Sequence, residues 1–348
     1  MSDPDVRTAP TTTPPAAEQG RVEDAAARAD NRPPLARLLD TGAGRNLGLV
    51  AVLVVLCVIG VATADTFATT SNLLTILTSA SVIGVITVGV TMVIIGGGID
   101  LSVGKVMALA SVWATTVATQ SYGPVVMVLC ALAVGAGAGL VNGVLIAYGR
   151  IVPFIVTLAT LITAQGLAER ISGKRSQIVT DPTIAAIAST RVLGIPLLVF
   201  IFAVVVAVGW VVLNRTTFGR RTFAIGGNPE AARLAGLHVQ RHTMLLYVIS
   251  GLCCGIAAIM IASLTTTGSS THGTLYELDA IAAVIIGGTL LTGGRGTLVG
   301  SILGVLVFTT ITNLFILNNL ATEVQNIAKG LIIVAAVLFQ SRARRADT

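Results

Sequence analysis

Leu73-Leu-Thr-Ile-Leu-Thr-Ser-Ala-Ser-Val-Ile-Gly-Val-Ile-Thr-Val-Gly-Val-Thr-Met-Val-Ile-Ile-Gly-Gly-Gly98 runs for 26 residues without a charge. As a helix it would measure about 39 Å, more than the roughly 30 Å hydrocarbon core that about 20 helical residues cross. Its length and closing glycines therefore predict a tilted or broken membrane span. Nine further apolar runs flank it. They cover approximately Leu47–Ala64, Leu101–Thr119, Pro124–Tyr148, Ile151–Ile171, Leu193–Leu213, Thr243–Leu264, the short Ala280–Leu291, Gly296–Leu317 and Val324–Phe339. These runs are too long and continuous for barrel strands. The expected fold is all-α, a polytopic membrane protein with about ten transmembrane helices.

Composition agrees. Of 348 residues, 54% are hydrophobic and 11% charged, and the mean hydropathy is +0.88. Soluble domains carry about 25% charged residues. Thirteen of the 38 charged residues lie in the first 45 positions, so the remainder carries even fewer. Such a surface could not be kept wet, which excludes a cytosolic enzyme. Residues 1–45 also hold six of the eleven prolines and read as a disordered tail. Residues 46–340 form the membrane domain, and 341–348 a basic tail. No apolar core precedes Leu47, so the first membrane helix is expected to act as its own targeting signal. The four cysteines fall inside apolar runs without metal-ligand spacing, and no metal site is expected.

The net charge of +6 is read as a topology signal rather than as a sign of nucleic-acid binding. With the N-terminus in the cytoplasm, seventeen basic residues, Lys105 among them, fall inside. Four (Arg170, Lys174, Arg175, Arg191) fall outside, and Lys329 lies within a run. Both termini are thus expected in the cytoplasm.

The longest inner loop, residues 214–241, contains Ala224-Ile225-Gly226-Gly227-Asn228-Pro229-Glu230-Ala231-Ala232-Arg233-Leu234-Ala235-Gly236. Asn228 suits an N-cap, Pro229 the first helical position, Glu230 the positive helix end and Gly236 the stop. Glu230 and Arg233 pair at i,i+3, while Ala231, Leu234 and Ala235 share a small apolar face. A two-turn helix is marginal in water by itself, so its residues leave two readings open: a solvated connector, or a segment that docks in a partner's groove.

That loop resembles the coupling helix of the ribose-type sugar permeases of bacterial ABC importers. Three further motifs resemble the same family: Gly96-Gly97-Gly98-Ile99-Asp100-Leu101-Ser102-Val103-Gly104, Gly139-Leu140-Val141-Asn142-Gly143 with Pro153-Phe154-Ile155-Val156-Thr157-Leu158, and Tyr276-Glu277-Leu278-Asp279-Ala280-Ile281-Ala282-Ala283-Val284 with Gly287-Gly288-Thr289 and Gly293-Gly294-Arg295-Gly296. The resemblance runs from about Asn46 to Phe339. It departs at Lys105, where the family usually has a small residue, at Gln165, where it has arginine, and at His272-Gly273-Thr274-Leu275, where it is glycine-rich.

The resemblance implies a multi-pass inner-membrane permease subunit for a monosaccharide, with a nucleoside or signalling furanose as alternative cargo. An ABC ATPase would lie beneath it, an extracytoplasmic sugar-binding protein above, and a second permease copy beside it. ATPase coupling would fall to Gly226, Asn228, Pro229, Glu230, Ala231, Ala232, Arg233 and Gly236. Tyr276, Glu277 and Asp279 are candidates to face the binding protein. The chain has no Gly-x-x-x-x-Gly-Lys-Ser/Thr run, so ATP and Mg are expected on the partner, and the chain is not expected to be an enzyme or to bind a cofactor.

Glycine-broken or short spans mark solute pathways, which nominates Gly97, Asp100, Gly287 and Gly288. Polar residues within the runs, Thr91, Asn142, Thr157, Gln165 and Asn313, are further pathway candidates, although such groups more often hold helices together. Asp100 reads first as a cap for the helix that follows it, with ion coupling the weaker reading. Lys329 reads as snorkelling rather than pairing with Glu323. Gly135, Gly137 and Gly139 read as close helix packing. The echo between Val93-Ile94-Ile95-Gly96-Gly97 and Val284-Ile285-Ile286-Gly287-Gly288 has no account at this level. With aromatics at 4%, the passage is expected to be of low affinity, selection falling to the binding protein.

Overall fold

The computed structural model describes residues 42–346, so the N-terminal tail lies almost wholly outside the described residues. The chain divides after Leu47, and the helical bundle belongs to the unit that begins at Gly48. The described chain is helical, with two small antiparallel strand pairs, β1 (Gln177–Ile178) with β4 (Thr267–Gly268) and β2 (Arg191–Val192) with β3 (Ile195–Pro196), and a short helix α7 (Pro182–Ser189) between β1 and β2.

Seven helices are long and apolar enough to cross a membrane. They are α1 (Gly42–Thr63), α2 (Thr70–Ile95), α5 (Pro124–Ala147), α6 (Pro153–Ser172), α8 (Leu197–Arg215), α11 (Val239–Thr265) and α13 (Leu298–Leu317). Their starts follow from local chemistry. Thr69 caps α2 by accepting from the Asn72 N–H, and α5 and α6 each open on proline, whose missing N–H costs nothing in a first turn. The last described helix, α14 (Thr322–Ala346), continues into the basic C-terminal segment.

Two apolar runs are not full spans. The run Leu101–Thr119 splits into α3 (Val103–Ala114) and α4 (Val117–Gln120). The break falls at Thr116, whose backbone is extended (φ −60°, ψ 147°) and whose hydroxyl caps α4 by accepting from Thr119 N. The short eighth run begins earlier than its apolar residues indicate, as α12 (Tyr276–Ile286). At 12 and 11 residues, α3 and α12 measure about 18 and 16 Å, roughly half a hydrocarbon core.

Their depths follow from the partners they meet. Asp100, just before α3, bonds to Ser250 in the middle of α11, whereas Ser111 near the other end of α3 lies 3.3 Å from His272, beyond the end of α11. The start of α12 meets the first turn of α3: a Cβ on Gly104 would overlap Glu277 Oε2 and Gly273 O. The loop after α12 returns to the end of α2, Gly294 N donating to Ile95 O at 2.8 Å. The two half-length helices therefore occupy opposite halves of the bundle, with their N-termini converging near its middle.

α2 and α11 form the buried centre. α5 lies against α11 along Gly135, Gly139 and Gly143, where a Cβ would collide with the backbone at Gly251, Tyr247 and Met244. Four-residue spacing of small residues lets backbones approach closely where no hydrophobic force separates lipid from protein. Gly137 is not part of this seam; nothing lies within 4 Å of its Cβ position, because it points into an open groove.

The echo noted in the sequence has a physical account. Gly98 N donates to Val93 O and Gly97 N to Ile94 O; Thr289 N donates to Val284 O and Gly288 N to Ile285 O. These are the paired bonds of a Schellman end, and Gly97 (φ +86°) and Gly288 (φ +77°) take its left-handed position. The repeated sequence is a repeated way of stopping a helix.

Candidate functional site

Between α8 and α11 the chain forms α9 (Thr217–Gly227) and α10 (Pro229–Leu234). Asn228 Oδ1 accepts from Ala231 N at 2.9 Å, Pro229 occupies the first turn, and Gly236 (φ +83°) ends α10 with bonds from Gly236 N to Arg233 O and Leu237 N to Ala232 O. Arg233 and Glu230 pair at 2.6 Å. That contact and the Glu230 charge push the guanidinium above its ordinary range. Both side chains are exposed, so the pair fixes geometry more than it stabilises. Ala232 is buried against the bundle, whereas Ala231, Leu234 and Ala235 are exposed, Leu234 by 80%. The apolar face read in the sequence is present, and no residue of the described chain covers it.

α9 ties this helix to the bundle. A Cβ on Gly226 would overlap Ile95 O and lie 2.7 Å from Gly294 N. Gly293 packs on Gly97, its Cβ position 2.8 Å from Gly97 Cα. Three glycine-rich segments, the end of α2, the end of α9 and the loop after α12, thus meet backbone to backbone. A cavity of about 240 Å³ adjoins the junction, lined by Gly96, Gly98, Pro153, Gly226, Pro229 and Tyr247 among others. Each of the three segments was visible in the sequence; their convergence was not, because it joins positions about 70 and 130 residues apart.

A buried polar chain crosses the bundle above this junction. Asp100 accepts from Ser102 N (3.0 Å), Ser102 Oγ (2.6 Å) and Ser250 Oγ (2.8 Å). Asn142 donates to Ser102 Oγ, and Thr160 donates to Asn142 Oδ1. Asp100 thus satisfies a backbone N–H as read, but the helix starts at Val103, and its carboxylate also pins the α2–α3 link to α11. The network joins α5 and α6 to that link, so Asn142 holds helices together.

The other pathway candidates divide similarly. Thr91 and Thr157 bond to carbonyls of their own helices, Thr87 O and Pro153 O. Asn313 forms a reciprocal amide pair with Asn72, at 3.1 and 2.8 Å, locking α13 to α2. Gly287 packs on Gly300 of α13. Gln165 donates to Glu169 at 2.5 Å.

The residues expected to face a binding protein lie deeper than expected. Glu277 and Asp279 are 8% and 5% exposed, because α12 starts inside the bundle rather than at its outer edge; Tyr276 is half-buried. Asp279 accepts from Lys329 at 3.2 Å, with Lys329 also 5.4 Å from the Phe308 ring centre. Lys329 therefore pairs rather than snorkels, with a carboxylate 50 residues away instead of Glu323. Lys105, counted with the inner loops, sits in the first turn of α3 and donates to Thr274 Oγ1 at 3.0 Å.

Residues 72–337 match the family model described as branched-chain amino acid transport system, permease component. The chain belongs to that permease family. Its relatives include the ribose import permease protein RbsC of Escherichia coli (strain K12), 36% identical with 84% of this chain and 92% of the relative covered. RbsC of Bacillus subtilis (strain 168) is 36% identical over 86% and 92%, and the galactose/methyl galactoside import permease protein MglC of Escherichia coli (strain K12) 36% over 84% and 93%. No solved structure matches significantly. The permease is thus a multi-pass inner-membrane subunit of an import system.

Proposed function

We propose that the permease forms the membrane passage of an ATP-driven ABC importer for a monosaccharide. It would work with a separate ATPase that holds ATP and Mg, an extracytoplasmic sugar-binding protein and a second permease copy. In this reading ten helices are embedded in the bilayer, α3 and α12 as half-spans, and both termini lie in the cytoplasm. The observation that carries the proposal is the capped α10, whose uncovered Ala231–Leu234–Ala235 face is joined through Gly226 to the ends of α2 and the α12 loop. A helix docked in a moving ATPase has a rigid connection there to both elements. An ATPase that binds this face differently in its open and closed states shifts the permease between two packings by that difference in affinity.

Similarity across the whole membrane domain to ribose and galactose permeases favours a sugar over the amino acid in the family model's description. Thermal-shift ligand screening of the binding protein that partners this permease tests the cargo. A monosaccharide hit supports the reading, and a branched-chain amino acid hit overturns it.

A further inference from the structure

Lys105 of α3, Gln165 and Glu169 of α6, Thr274 of the preceding loop and Glu277 of α12 gather where the two half-length helices meet. Lys105 lies within electrostatic reach of both Glu277 and Glu169, donates to Thr274 Oγ1, and is only partly buried. Thr274, Leu275 and Leu278 beside it are exposed on the chain's surface. Charged groups at membrane depth face protein or a water-filled cavity rather than lipid, so this face meets another protein surface or water.

Two acceptors there have no donor. Glu277 is 8% exposed, and its Oε2 is buried without a hydrogen-bond partner; Gln165 Oε1 is likewise buried and unpaired. The α12 dipole favours a carboxylate in its first turn, but it gives no donor to that oxygen. A buried acceptor left unpaired loses its water without a replacement donor, which destabilises the closed packing. Once the packing opens toward these two buried oxygens, a solute rich in hydroxyls would supply donors to both and acceptors for the Lys105 ammonium.

Building on the monosaccharide reading above, we infer that Glu277, Gln165 and Lys105 form the solute-contact site of the passage, with Glu277 Oε2 and Gln165 Oε1 accepting sugar hydroxyls. The site has one principal acceptor, one amide and one cation, which suits a transient contact rather than tight binding.

The test uses the permease in proteoliposomes with its ATPase and binding protein, loaded with ribose and each monodeoxyribose. Glu277→Gln, Gln165→Leu and Lys105→Met are compared with wild type for ATP-driven uptake and for ATPase stimulation by the loaded binding protein. Because the binding protein is unchanged, a shift in the uptake ratio of ribose to one deoxyribose reports the passage itself. A five- to tenfold fall in ribose uptake in Glu277→Gln, with that ratio moved toward one for a single hydroxyl position and ATPase stimulation retained, is the expected result. Equal loss for every sugar, or no change in any variant, overturns the site while leaving the importer reading intact. If wild type takes up no monosaccharide at all, both fall together.

Discussion

Gly226 and Gly227 are adjacent, share a helix end and differ in one respect. A Cβ on Gly226 overlaps Ile95 O and lies 2.9 Å from Ile95 C; a Cβ on Gly227 meets nothing within 4 Å. Backbone atoms cannot turn aside as a flexible side chain can, so Gly226→Ala forces α9 away from the end of α2. Overpacking of this kind costs about 1–3 kcal/mol, and 2 kcal/mol shifts a two-state balance by about 30-fold. Gly227→Ala is expected to change stability by less than about 0.5 kcal/mol, as substitutions in open space do. The assay is ATP-driven uptake in vesicles, normalised to inserted permease by quantitative blot. Gly226→Ala should insert and lose most of its uptake, while Gly227→Ala should match wild type. Equal uptake by the two variants would refute transmission through the junction.

Leu234→Glu places a charge on the exposed α10 face without touching the bundle; uptake and co-purification of the ATPase should both fall at least tenfold, with insertion unchanged. Gly139→Leu collides with the α11 backbone at Tyr247 and should yield aggregated protein by size exclusion, whereas Gly137→Leu should remain monodisperse. Asp279→Asn leaves the part-buried Lys329 without its counter-charge. Losing one partner of a fully buried pair costs about 3–5 kcal/mol and of an exposed pair about 1 kcal/mol or less; for this part-buried pair thermal stability in detergent should drop by an amount between the two, and adding Lys329→Met should recover much of it.

Much of this was legible in the sequence where the information was local. The caps of α10, its Glu230–Arg233 pair and its apolar face all rest on residues within a few positions of each other. The long runs gave the spans because a bilayer demands length and apolarity, which one segment displays alone. Reading failed where the cause was distant. Leu101–Thr119 read as a whole span because the break rests on one residue, Thr116, whose extended backbone and capping hydroxyl hydropathy ignores. Tyr276, Glu277 and Asp279 looked like an outer edge because they precede the apolar run that opens at Ala280, but the loop before α12 enters the bundle and carries them inward. Lys329 lacked a partner in its own segment and found one on α12. The VIIGG echo was visible as letters, and became physics only once both copies proved to be Schellman ends.

The most direct measurement is accumulation of labelled ribose in proteoliposomes holding the permease and binding protein, with and without the ATPase, in the presence of a protonophore. Uptake that requires the ATPase and ATP and ignores the protonophore is the predicted result. Accumulation that proceeds without the ATPase, or collapses with the proton gradient, would contradict a passage worked through α10.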